Sequence, residues 1–279
     1  MRAATIAAPG RAELVEARIP RPAAGEILVR IQGCGVCGSS LPLWQGRKWF
    51  SYPLDPGAPG HEAWGLTADD RRVAVLSQRG YAEWDVARET DLVKLPDVLD
   101  DTPFPGEALA CAVNVVNRTR ARLRRGARVA IVGMGFLGTA CARLCELRGV
   151  DVTEVDRHTQ VEGPFDCVIE AAGTQGALDR AAGLLGERGL LVIAGFHQDG
   201  LRTIDLQSWN WRGIDVVNAH ERDPRVYIEG MRDAAALAAR GDLDVRALVT
   251  HRFALDEVGP AFTVATQRPE GFLKAVVCP

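Results

Sequence analysis

The sequence predicts an α/β protein in which an irregular β-rich region is followed by a doubly wound parallel sheet. Two observations carry this. The first hundred residues are dense in Gly, Pro and short β-branched runs. After about residue 104, short apolar runs alternate with helix-forming stretches at the spacing of βαβ units.

The elements follow in order. Residues 3–8 read as a first strand that stops at Pro9-Gly10. Residues 27–31 and 73–76 are β-branched strands, with turn signals at Ala24-Gly25, Pro56-Gly57 and Pro59-Gly60. Residues 107–123 carry a helical stripe of Leu109, Val113, Val116 and Leu123. Strands are expected at 128–132, 150–155, 165–170 and 190–194, and helices at 137–148 and 176–185. A long helix at 225–240 and two short strands near 249–253 and 273–277 close the chain. This divides it into one domain of residues 1–109 with 224–279, and a second of 110–223.

The 279 residues are 47% hydrophobic and 25% charged, which excludes a disordered, collagen-like or coiled-coil chain. A net charge of −3 gives no nucleic-acid footprint. Of the 33 basic residues only Lys48, Lys94 and Lys274 are lysines, a skew we read as coding bias. No apolar run approaches the roughly 20 residues of a membrane span. The first residues break at Pro9-Gly10 without the apolar stretch of a signal peptide. Seven cysteines in such a chain point to the cytoplasm, with some thiols as core filler.

Gly133-Met-Gly135-Phe-Leu-Gly138 follows an apolar strand and opens a helix, and Asp156 lies 18 residues beyond, at the end of the next strand. In that context Gly133 makes the tight turn, Gly135 admits a pyrophosphate to the backbone, and Gly138 lets helix and strand pack. The helix start holds the anion. Asp156 accepts ribose hydroxyls and repels a 2′-phosphate, favouring NAD over NADP; Arg157 and His158 work against that preference. A Gly-rich turn that binds no nucleotide is the alternative.

Cys37 and His61 are metal-ligand types 24 residues apart, in Gly33-Cys-Gly-Val-Cys37-Gly-Ser-Ser40 and Pro59-Gly60-His61-Glu62. Cys34-x-x-Cys37 also has the spacing of a zinc knuckle or redox pair. No second C-x-x-C exists, and no thioredoxin-like setting surrounds it, so Cys34 reads as a buried small residue.

With Gly35-Val-Cys37-Gly-Ser39, Gly60-His61-Glu62, Glu107-Ala-Leu-Ala-Cys111, Gly133-Met-Gly-Phe-Leu-Gly138 and Gly271-Phe-Leu-Lys274 in this order, the chain resembles the medium-chain dehydrogenase/reductase family, in its zinc-dependent alcohol and polyol dehydrogenase branch. The resemblance implies a GroES-like catalytic domain, a Rossmann domain, and one catalytic zinc between them held by Cys37 and His61. The third ligand is Glu107 or Glu62: one thiolate and one carboxylate balance Zn²⁺, whereas two carboxylates weaken it as a Lewis acid. The resemblance further implies hydride transfer between NAD(H) and a secondary alcohol or ketone, of sugar or polyol type, with the substrate oxygen on zinc. Ser39 relays the proton. Phe136, Leu137, Ala172, Gly195 and Lys274 join the glycines, Asp156 and Arg157 at the cofactor, and the assembly is a homodimer or homotetramer. Pairing of Rossmann edge strands makes 190–196 and 214–218 candidate edges.

Departures accompany the resemblance. Ser40 stands where an Asp orients a zinc-binding His, and Pro42 where a relay His sits. No Cys lies between Cys37 and Cys111, so the four-Cys structural zinc lobe is missing. Few residues remain between Arg157 and Phe165, which predicts a sheet short of one element. Trp44, Trp49, Phe50, Tyr52 and Trp64 read as a wall of the substrate pocket or as plugging of a shortened domain. Trp209 and Trp211 read as core or interface; His197, His220 and His251 as surface or structural residues. A zinc-free enone or quinone reductase of the same fold, and a non-catalytic nucleotide-binding protein, are the competing functions.

Overall fold

The computed structural model describes residues 1–119, 123–198 and 200–279. Nine strands and helices among the described residues precede the parallel sheet. They are β1 (Arg2–Ala8), β2 (Arg11–Glu16), β3 (Glu26–Gly35), α1 (Leu41–Trp44), β4 (Glu62–Thr67), β5 (Arg72–Val75), β6 (Trp84–Arg88), β7 (Leu92–Lys94) and α2 (Gly106–Arg118), with a short 3₁₀ turn at Gly38–Ser40. The sheet region holds β8 (Arg128–Val132), α3 (Phe136–Glu146), β9 (Asp151–Val155), β10 (Phe165–Glu170), α4 (Gln175–Leu184), β11 (Leu185–Ile193), α5 (Leu206–Arg212) and β12 (Asp215–Asn218). Then come α6 (Pro224–Ala239), α7 (Val245–Leu248), β13 (His251–Ala254), α8 (Val258–Gln267) and β14 (Ala275–Cys278). The helix expected at 107–123 is α2; its last expected turn lies partly outside the described residues.

Two compact units result: Met1–Ala110 with Asp223–Pro279, and Cys111–Arg222. In the first, β1 and β2 form a hairpin, and a larger sheet runs β13-β14-β3-β4-β5-β7, with β6 also paired to β3. Its core gathers Ile6, Val29, Ile31, Val75, Tyr81 and Phe262. Trp44 stacks on Phe262 at 5.2 Å and Tyr81 meets it edge-on at 5.9 Å. Trp44 and Trp64 are therefore buried packing residues, and of the aromatic loop Trp49 is the ring left open, 61% exposed.

The register of this sheet brings distant sequence together. β3 and β4 are antiparallel, with Gly35 opposite Glu62. β14 lies antiparallel on the other flank of β3, with Val276 opposite Gly35. The end of β3, the start of β4 and the start of β14 thus lie at one edge of the sheet, which places Cys37, His61 and Lys274 near one another.

The second unit is a five-stranded parallel sheet, order β12-β11-β10-β8-β9. Apolar strands buried on both faces, such as Val129–Val132 and Cys167–Ile169, explain why the pattern there is continuous rather than alternating. Only residues 156–164 separate β9 from β10, so the sheet ends at β9, as the short connection predicts. Of the two candidate edges, β12 is one; residues 190–193 belong to β11, which is interior, paired on both sides. Sharp helix starts follow the capping rules: Thr174 accepts from the Ala177 N–H at 3.2 Å and Asp205 from the Ser208 N–H at 2.9 Å. Among the described residues, no helix is long and apolar enough to cross a membrane.

Candidate metal and dinucleotide sites

Cys37, His61 and Glu62 offer ligand atoms that all lie within 4.8 Å of one another. Each is set by its strand end. Cys37 begins the turn after β3, and its carbonyl accepts from the Ser40 N–H at 3.1 Å. His61 ends the 57–60 loop, which is pinned by Gly80 N–H to the Gly60 carbonyl (2.8 Å) and Tyr81 N–H to the Gly57 carbonyl (3.0 Å). His61 Nδ1 is 2.9 Å from the Pro59 carbonyl. A carbonyl only accepts, so Nδ1 carries the proton and Nε2 is left as the ligating atom. Ser39 Oγ donates to Cys37 Sγ at 3.1 Å.

Electrostatics mark the cluster as short of positive charge. Burial disfavours a charged His61, yet Cys37, through charge and a hydrogen bond, with Glu107 and Glu62, pushes its pKa up to about 10. A proton there serves where a cation would. Three donors of soft, borderline and hard type, within 4.8 Å of one another, fit Zn²⁺.

Glu62 is fully buried, and the ammonium of Lys274, 5% exposed, donates to both of its oxygens at 2.8 and 2.9 Å. The Val36 carbonyl is a third neighbour at 3.5 Å. Burial opposes the charge on Lys274; Glu62, then Cys37, outweigh it and raise its pKa. A buried ammonium requires a carboxylate, and Glu62 supplies it. Gly35 makes the packing possible, since a Cβ there would lie 1.8 Å from Glu62 Oε2.

Glu107 stands outside the 4.8 Å group. It lies in the first turn of α2, and its charge is felt by both His61 and Lys274. The segment leading into α2 is anchored by Arg72, which donates to the Leu99 and Thr102 carbonyls at 2.5 and 2.6 Å and to Gln32 at 2.8 Å. Cys34 is fully buried, its thiol pushed well up by burial. Pro42 is buried in α1.

In the second unit, Gly133 turns at φ +103°, and a Cβ on it would meet Ala172 at 2.8 Å. Gly135 precedes the first turn of α3, which carries Phe136, Leu137 and Gly138. A Cβ on Gly138 would lie 2.1 Å from the Gly133 carbonyl oxygen. The turn is thus a backbone-lined cradle at a helix start, at the carboxyl end of the sheet where strand order reverses between β8 and β10. Asp156 follows β9; its Oδ1 accepts from the His158 and Thr159 N–H groups and the Thr159 hydroxyl at 2.7–2.8 Å. Those bonds hold its carboxyl below the usual range. Arg157 is exposed in the same turn. Gly195 follows β11 against Gly173, where a Cβ would lie 2.2 Å from the Gly173 nitrogen.

Sequence reasoning passed over one group here. Glu170, fully buried at the end of β10, bonds His197 Nε2 at 2.9 Å, and Arg202 donates to His197 Nδ1 at 2.9 Å. The available signal was an acid closing an apolar strand, Val168-Ile169-Glu170. His197, read as a surface or structural residue, is half-buried and engaged on both nitrogens.

No family model matches the chain. It is similar to an alcohol dehydrogenase of Cupriavidus necator, 25% identical over 371 aligned positions covering 100% of this chain and 99% of the relative. It is also similar to the sorbitol dehydrogenase of Gallus gallus, 24% identical, covering 93% and 91%. Among solved structures, a cobalt- and zinc-bound thermostable alcohol dehydrogenase of Pyrobaculum aerophilum superimposes with TM-score 0.83 at 23% identity, covering 100% and 99%. A Sinorhizobium meliloti protein solved with NADP gives 0.82 at 23%, with the same coverage. The fold is that of the medium-chain dehydrogenases, a GroES-like domain with a Rossmann domain. The chain resembles the zinc-dependent alcohol and polyol branch end to end, in shortened form: 279 residues meet 371 aligned positions.

Proposed function

We propose that this protein is an oxidoreductase that moves a hydride between a nicotinamide dinucleotide and a secondary alcohol or its ketone, a sugar, polyol or similar small metabolite. The observation that carries this reading is the Cys37–His61–Glu62 donor group, in a chain that also holds a glycine cradle between β8 and α3. The names of the relatives, alcohol and sorbitol dehydrogenases, agree with it.

Cys37 and His61 would hold one zinc, with Glu62 or Glu107 completing the set. When bound, the zinc supplies a Lewis acid that acidifies a substrate hydroxyl, and the dinucleotide supplies the hydride acceptor or donor. The chain's residues do the rest. The Ser39 hydroxyl, which both donates and accepts, holds and passes the substrate proton. Lys274 donates to both Glu62 oxygens, so it competes with a metal for that carboxylate. Gly133, Gly135 and Gly138 open the backbone to the pyrophosphate, with Phe136 and Leu137 on the helix turn beside it. Asp156 receives the adenosine ribose and favours NAD over NADP. Ala172 and Gly195 flank the nicotinamide half. Trp49 is the exposed ring available to stack on a sugar face.

The partner is a small molecule together with a second copy of the chain, arranged as a homodimer or homotetramer across the β12 edge. Val216 on β12, and Leu206 and Trp211 (89% exposed) on the preceding α5, stand in the open. Seven free thiols suit a reducing cytoplasm. The test is elemental analysis with a panel of sugars, polyols and aromatic alcohols, each supplied with NAD and NADP while reduced-cofactor absorbance is followed. About one zinc per chain and turnover of a secondary alcohol, both lost in Cys37→Ala, are expected. A chain that retains no zinc and binds no reduced cofactor overturns the reading.

A further inference from the structure

The carboxyl end of the parallel sheet carries a bonded chain of three side chains that the preceding roles leave unused. Glu170 Oε1 accepts from the Ala172 and Gly173 N–H groups at 2.9 and 2.7 Å. Its main-chain carbonyl accepts from the Ala194 and Gly195 N–H groups, each at 2.8 Å. One residue therefore ties together the loops after β10 and after β11.

His197 extends the tie. Arg202 Nε donates to its Nδ1 at 2.9 Å. A guanidinium has no acceptor, so Nδ1 is unprotonated. The ring proton sits on Nε2 and is donated to Glu170 Oε2 at 2.9 Å. The ring is fixed between one anion and one cation. Arg202 then reaches back to the Gly173 carbonyl at 3.2 Å. The Gln175 side chain closes the far end, donating to the Thr203 carbonyl at 2.7 Å and accepting from the Thr203 N–H at 3.0 Å.

Position gives this chain its meaning. A dinucleotide lies across the carboxyl edge of such a sheet, with its pyrophosphate at the turn after the first strand and its halves on either side. Asp156, after the edge strand β9, lies on one side of the Gly133–Gly138 turn. The loops after β10 and β11 lie on the other, and a Cβ on Gly133 would meet the Ala172 Cβ at 2.8 Å. We propose that Glu170, His197 and Arg202 are positioning residues that hold residues 171–175, 194–198 and 200–203 in the arrangement receiving the nicotinamide half of the cofactor. The inference rests on the dinucleotide reading above and adds which residues set that half of the site.

The test compares NADH with ADP-ribose, which lacks the nicotinamide, by fluorescence and calorimetric titration of the full chain. His197→Ala weakens NADH about tenfold, the worth of one charge-assisted hydrogen bond, and leaves ADP-ribose within about twofold. His197→Gln, whose amide can donate to Glu170 and accept from Arg202, restores NADH to within about threefold of wild type. If His197→Ala does not fold, Arg202→Gln reports the same split between the two ligands. NADH and ADP-ribose weakening together, or NADH binding unchanged while wild type binds both, overturns the positioning role and leaves the dinucleotide reading intact. A wild-type protein that binds neither ligand removes that reading, and this inference with it.

Discussion

Lys274→Met removes the cation from a carboxylate that is fully buried. Both Glu62 oxygens lie 2.8–2.9 Å from the ammonium, with side-chain exposures of 6% for Lys274 and 0% for Glu62. At that distance and an effective dielectric of about 20, the gross attraction is roughly 6 kcal/mol. Removing one partner of such a pair costs about 3–5 kcal/mol, because the other charge stays buried. For a unit of this size each kcal/mol is about 2–4 °C in Tm, so a fall of about 6–20 °C is expected. The double variant Glu62→Gln with Lys274→Met, which leaves no buried charge, recovers most of the loss. Thermal unfolding followed by circular dichroism measures all three proteins. Metal content is determined on the same samples, because a lost ion lowers Tm by itself. A Lys274→Met protein melting within about 2 °C of wild type, or a double variant no better than the single, refutes the claim that this pair is a closed, interdependent unit.

Three further outcomes follow. Gly138→Ala forces the Gly133 carbonyl aside, since its Cβ would arrive 2.1 Å away; a loss of about 1–3 kcal/mol in denaturant unfolding and a drop of tenfold or more in NADH affinity are expected, and a variant that binds NADH normally contradicts the cradle. Asp85 is buried with Oδ2 unpartnered, and burial raises its carboxyl pKa against the opposing bonds of Ser77 and Val86. Its protonated form suits the fold, so that stability is fully present below the ordinary carboxylate pKa of about 4 and is lost as pH rises through the folded value. Asp85→Asn flattens this slope, measured as denaturant midpoint against pH, and parallel curves for the two proteins exclude it. Trp211→Glu places a charge on the exposed β12 flank; a shift to monomer by light scattering is expected, and an unchanged assembly moves the interface elsewhere.

Where the sequence was legible, it was so for local reasons. The strand at 128–132 and the strand at 165–170 match the structure residue for residue, because both are short apolar runs with charged or turn-forming neighbours. The glycine turn was legible because its three glycines answer to three separate steric demands. By contrast, α8 and the strands β2, β6 and β7 went unread: β6 and β7 are three to five residues long, and β2 shows no clean alternation. Tertiary pairing, not local pattern, decides them. The same holds for Lys274 and His197, whose partners lie 212 and 27 residues away. A carboxylate at the end of an apolar strand signals that a partner exists without saying which.

The donor group depends on strand register more than on any one ligand. Gly35 faces Glu62 across β3 and β4, and Val276 faces Gly35 across β14 and β3. A slip of one residue in either pairing would send Glu62 or Lys274 to the opposite face of the sheet. That would leave a buried charge alone, at a cost comparable to the whole stability of a small domain. The ion pair behind the site therefore acts as a register lock for the strands that carry Cys37 and His61. Gly35 is the residue that lets the lock close, because any side chain there would occupy the space of the Glu62 carboxylate. The economy of the shortened chain is consistent with this logic. Among the described residues the sheet of the second unit ends at β9, whereas all three strand ends that converge on Cys37, His61 and Lys274 are retained.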